Sequence, residues 1–98
     1  MPTELERLSS DYERHEAAFI RAVAERLPYQ RLGDLADATV AAANMLSAEA
    51  HRALFAGETA WMPLGELAEA CEQMATLWTD LADAYAGRPP RSANPNLL

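Results

Sequence analysis

The sequence predicts an all-α protein: a three-helix antiparallel, up-down-up bundle with a disordered C-terminal tail. Three observations carry that expectation. Apolar residues recur at alternating spacings of three and four in three successive segments, the signature of a helical face. Pro28, Gly57, Pro63 and Gly87 punctuate those segments. Half of the 98 residues are hydrophobic, and much of that half is alanine. Alanine favours helix but buries little area, so the core must come from a few larger side chains. The expected division is a helical bundle over 1–87, with helices at about 4–27, 32–56 and 63–86, and a flexible tail over 88–98.

The first helix opens with Thr3 as its cap and Glu6 three residues on, a capping box. Leu5, Leu8, Tyr12, His15, Phe19, Val23 and Leu27 then form one stripe, with Ile20 beside it. Ser9-Ser10 interrupts this run, and Ser10 with Glu13 offers a later start. Pro28 is expected to stop the helix near Leu27, because proline disfavours helical geometry in the residue before it. The second helix carries a broad apolar surface, from Leu35, Thr39, Ala42, Leu46 and Ala53 round to Val40, Ala43, Leu54 and Phe55. A helix apolar over so wide an arc belongs between two others. Pro63 suits the start of the third helix. Its seam is the most regular in the chain: Leu64, Leu67, Cys71, Met74, Trp78, Leu81 and Tyr85, spaced 3, 4, 3, 4, 3, 4. Leu32–Ala38 and Leu64–Ala70 echo one another, with Tyr29 and Trp61 three residues ahead in the two connections. The echo reads as two helices that begin alike, the two aromatics plugging opposite ends of the core.

The formal net charge of −7 argues against direct nucleic-acid binding and against an anionic membrane surface, because both need basic residues. All eight basic residues are arginine. One cysteine excludes an intrachain disulfide. The first residues lack the apolar stretch of a secretory signal, and no run approaches the length of a membrane span. A cytoplasmic location is the resulting expectation.

Charge is unevenly placed. Helix three carries Glu66, Glu69, Glu72, Asp80 and Asp83 and no basic residue between Leu64 and Ala86. Helix one carries Arg7, Arg14 and Arg21, seven apart. The expectation is that this arginine row meets helix-three acids across an interface, leaving surplus carboxylates as a negative outer face.

Residues with chemical potential are few. Two histidines stand at 15 and 51, without the Glu-x-x-His pairs of a di-iron bundle. Asp11 and His15 lie one turn apart, a spacing that suits a shared metal or a hydrogen bond, and the expectation is a seam-edge histidine held by a carboxylate. Cys71 sits on the seam, where a thiol behaves as a small hydrophobe. The run Pro63-Leu64-Gly65-Glu66-Leu67-Ala68-Glu69-Ala70-Cys71, followed by Ala75-Thr76-Leu77-Trp78, resembles the opening of a helix-turn-helix DNA-binding unit over about fifteen residues. The usual turn glycine is replaced by Glu72, and the would-be reading helix has no basic residue. The same stretch resembles the Gly-Glu-Leu-Ala-Glu signature of MazG-type nucleotide pyrophosphohydrolases. That resemblance implies a magnesium site from facing Glu-x-x-Glu and Glu-x-x-Asp pairs, with Glu66 and Asp34 matching the second acid of each; separately, Asp34 with Asp37 and Glu66 with Glu69 are carboxylate pairs at helical spacing that suit a magnesium ion. Pro63 and Arg31 stand where the family's partner acids would be.

The functional expectation is a small acidic protein–protein interaction module, not an enzyme, with no cofactor or metal. It would be a regulator, adaptor or inhibitor. Its partner would be a protein with a basic surface, met by the carboxylates of helix three. One form of this reading is an inhibitor that places carboxylates where a nucleic acid's phosphates would lie. A homodimer through the Leu67, Met74, Trp78 and Leu81 stripe is a further expectation.

Overall fold

The computed structural model describes residues 3–58 and 63–89. Among these residues three helices follow one another: α1 (Glu4–Ala24), α2 (Tyr29–Phe55) and α3 (Leu64–Ala86). Trp61, and the tail from residue 90 onward, lie outside the described residues.

α1 begins where the sequence indicates: the Glu6 backbone N–H donates to Thr3 Oγ1 at 3.1 Å. Ser9-Ser10 does not interrupt it. The helix ends at Ala24 rather than Leu27. Arg26 turns into the left-handed region at φ 58. Its N–H then donates to Val23 O at 3.0 Å, and the Leu27 N–H to Ala22 O at 3.1 Å. This is a Schellman ending, with arginine in the place glycine usually takes. α2 closes in the same way with Gly57 at φ 70, and α3 with Gly87 at φ 71.

α2 begins at Tyr29 rather than Leu32. Pro28 presets the entry, and its carbonyl accepts the Leu32 N–H at 3.0 Å. Gly33 is therefore interior to the helix, not a turn. A Cβ there would stand 3.6 Å from Tyr85 Cβ, so α2 and α3 approach closely at this point. Gly65, by contrast, faces open space. The sequence echo is thus not a structural repeat: Leu32 falls inside α2, whereas Leu64 opens α3. Tyr29 is helical and largely exposed, with its ring edge-on to Tyr85 at 5.6 Å, and does not plug the core.

The helices run up, down and up. Leu5, Leu8 and Tyr12 at the start of α1 share a core cluster with Leu46 and Ala50 late in α2 and with Leu64, Leu67 and Cys71 early in α3. Phe19 and Ala22 join Leu32, Ala36 and Val40 of α2 and Ala82 of α3 at the other end. α2 is central, as its broad apolar arc implies, and packs against both neighbours, whereas the α1 and α3 backbones stay more than 8 Å apart. The Cα envelope measures 42 × 38 × 14 Å.

Residue size follows from this arrangement. Small Ala36, Ala43 and Ala50, each with no exposed surface, let α2 lie close to its flanks. The wider gap between α1 and α3 is filled by aromatic rings. Phe19 meets Trp78 edge-on at 5.0 Å and Tyr85 at 5.8 Å. Trp78 Nε1 donates to Tyr12 Oη at 2.9 Å, and Tyr12 Oη donates to Glu16 at 2.9 Å. Each hydroxyl or indole group that enters the core thus has a partner. Thr39, fully buried, donates to Leu35 O at 2.9 Å. On α1, Ala22 completes the buried stripe, while His15, Ile20 and Val23 are exposed. The stripe drifts because a helix turns 3.6 residues at a time, whereas a strict 3-4 spacing repeats at 3.5.

Candidate functional site

The predicted α3 seam faces inward along its length. Leu64, Leu67 and Cys71 are buried, and Met74, Trp78, Leu81 and Tyr85 are half-buried against the two core clusters. Packing within the protomer uses this stripe, which removes the support for dimerisation through it. Burial pushes the Cys71 thiol above its usual range, so it stays a neutral hydrophobe at ordinary pH.

The predicted acidic face is smaller than expected. Glu66, Glu69 and Glu72 are exposed, and Asp80 is half-buried. Asp83 is fully buried and does not belong to the outer face. The chain leaves α3 at Gly87 and folds back, so the Arg88 N–H reaches Asp83 O at 2.9 Å. The Arg88 side chain then donates through Nε to Asp83 Oδ1 at 3.0 Å and through Nη2 to Asp37 Oδ1 at 3.2 Å. Arg88 thereby ties the end of α3 to the start of α2, and its own pKa rises, chiefly from the Asp83 hydrogen bond. The expected flexible tail does not begin at residue 88. A charged residue one position past a C-terminal glycine, five after an acid, was the available signal for this clamp.

The arginine row of α1 does not reach α3. Arg7 pairs with Glu4 and Asp11, and Arg14 pairs with Asp11, all within α1. Spacings of three and four on one helix put these charges closer together than any across the α1–α3 gap. Asp11 is thereby engaged by arginines rather than by His15. It is His51 of α2 that comes near an α3 carboxylate. Its Nδ1 meets Ser47 O at 2.8 Å, and its Nε2 stands 4.0 Å from Glu72 Oε2. Sequence spacing could not show this pair, because it depends on how α2 and α3 are set side by side.

What remains outward on α3 is a coherent surface. Glu69, Glu72, Gln73, Thr76 and Leu77 line a shallow hollow, with Leu77 68% exposed. Carboxylates around an exposed leucine offer one apolar contact inside a negative field.

The arrangements that other readings need are not brought together. α3 is continuous from Leu64 to Ala86, with no turn at Glu72. Asp34 and Asp37 lie at the start of α2, beside Tyr85 and Arg88 at the end of α3, around a hollow of about 250 Å³. Glu66 and Glu69 lie at the other end of the α2–α3 pair. The two carboxylate pairs therefore do not face each other, as a shared magnesium site requires. Among the described residues, no group of three or more His, Cys, Asp or Glu is placed to hold a metal ion. No helix of the described residues is long and apolar enough to cross a membrane.

Comparison with protein-family models, with curated proteins and with solved structures finds no match. Fold and surface together define an acidic three-helix domain in which Glu66, Glu69 and Glu72 of α3 are exposed.

Proposed function

We propose that this protein is a protein–protein interaction module that meets a basic partner surface through the outward face of α3. It would act as a regulator, adaptor or inhibitor rather than as a catalyst. The observation that supports this reading is the exposure of Glu66, Glu69 and Glu72 on a helix with no basic residue, next to exposed Leu77. Their charges are not neutralised by Arg7 and Arg14, which pair within α1. A negative face of this kind steers encounter with a positive surface and suppresses wrong partners. The exposed leucine supplies an apolar anchor that charge alone lacks.

The test is affinity capture from the host's lysate on the immobilised protein, eluted with rising salt and read by mass spectrometry. A parallel column carries the Glu66→Lys, Glu69→Lys, Glu72→Lys variant. A basic protein held by the first column, released at moderate salt and missing from the second is the expected result. Equal retention on both columns, or no retained protein on either, overturns the proposal.

A further inference from the structure

The outward face of α2 carries a second seam, distinct from the broad face that packs against α1 and α3. It runs from Arg31 to Phe55 with spacings alternating between three and four. Every position on it is exposed except Ala38, which is half-buried. Two large apolar side chains lie on it in water: Met45 is 55% exposed and Phe55 85%, the most exposed large apolar side chain among the described residues. Two exposed apolar side chains among small alanines, with charges towards the ends, suit the close approach of another helix.

The order of residues along this seam is self-complementary when reversed. Laid antiparallel on a second copy about residue 43, Ala41 falls opposite Met45 and Ala38 opposite Ala48. Asp34 then falls opposite Arg52, and Arg31 opposite Phe55. Each pairing matches in chemistry. The centre sets small residues against a methionine, which allows close approach with a flexible side chain filling the gap. One step out, an acid meets a base. At the ends a guanidinium meets an aromatic ring. A parallel pairing would instead put Asp34 on Asp34 and Arg52 on Arg52. A two-fold axis requires this kind of reversed self-match, in which residue i contacts j and j contacts i.

We infer that the protein forms an antiparallel homodimer through the outward face of α2, centred between Ala41 and Met45. Arg52 already holds Glu49 and Glu58 in its own chain, and Asp34 of the second copy joins that network from outside. This interface shares no residue with the α3 face and leaves it open.

The test is sedimentation equilibrium of the full chain over a range of concentrations, with circular dichroism of every variant. The wild type is expected to approach twice its 10.7 kDa chain mass. Met45→Glu should retain its helical signal and weaken association by on the order of thirtyfold, as loss of a central contact does. Asp34→Arg and Arg52→Asp should each weaken it, and the two combined should recover it. Arg52→Asp also loses its in-chain partners, so Asp34→Arg and the recovery in the combined variant decide the register. A wild type that stays at 10.7 kDa at its highest soluble concentration overturns the inference. So does a dimer indifferent to Met45→Glu, and a combined variant no better than its parents overturns the antiparallel register.

Discussion

At the residue scale, positions with one demanding conformation or one buried charge stand out. Arg26 occupies the left-handed region that the end of α1 requires, where a Cβ meets the following carbonyl. Gly57 and Gly87 do the same work at the ends of α2 and α3 without that clash. Arg26→Gly should therefore stabilise the fold by about 1 kcal/mol. In a domain of this size that raises Tm by roughly 4–8 °C, read by thermal unfolding. A Tm that falls would show that the arginine side chain makes a contact worth more than the backbone strain. Asp83 teaches the complementary lesson. Its charge looked like surface, yet Arg88 and the backbone turn at Gly87 enclose it.

At the element scale, α1 is held to α3 by side chains and not by close backbone approach. Tyr12, Phe19, Trp78 and Tyr85 span that gap, and Trp78 both packs and hydrogen-bonds within it. Trp78→Ala should cost about 3–5 kcal/mol, since no neighbour on α1 can move in to fill the space. A double-mutant cycle with Trp78→Phe and Tyr12→Phe isolates the indole–hydroxyl bond and should return a coupling of about 1 kcal/mol. Additive single effects would mean that the two rings only share a space.

At the scale of the whole molecule, stability should narrow at both ends of the pH range. Burial, with the Glu16 contact adding to it and the Trp78 hydrogen bond opposing it, raises the Tyr12 phenol above its ordinary value of 10.0. Below that value both folded and unfolded chains keep the proton, and the stabilisation is complete. As pH climbs past it the unfolded chain ionises first, and stability is lost through the higher folded value. Glu4 and Glu49 shift the opposite way, each lowered chiefly by its arginine hydrogen bond, from Arg7 and Arg52 respectively. Their contribution is present above 4.5 and disappears as pH falls through the depressed folded values. Both pairs are solvent-exposed, so the acid loss is the smaller and fades with added salt. Thermal melts across pH check both limbs. In Tyr12→Phe the alkaline loss should shrink, and an unchanged alkaline limb would assign it elsewhere.

Much of this protein was legible from its residue order. Three helices, the capping of α1 by Thr3, the terminal glycines, the central place of α2 and the inward α3 seam all rest on local rules. Apolar spacing selects a face, and caps and glycines select ends within a few neighbours along the chain. What the tertiary structure alone decided depends on residues far apart in sequence. Arg7 and Arg14 took partners one turn away because the α1–α3 gap is wide, and that width is set by the alanines and aromatics together. Asp83 left the acidic face because of where Arg88 and Asp37 lie, on the far side of a helix pairing. Glu66, Glu69 and Glu72 stayed outward, and His51 came near Glu72, through the rotation of α3 against α2. Spacing along one helix says which residues share a face; only the packing of helices against one another says what that face meets.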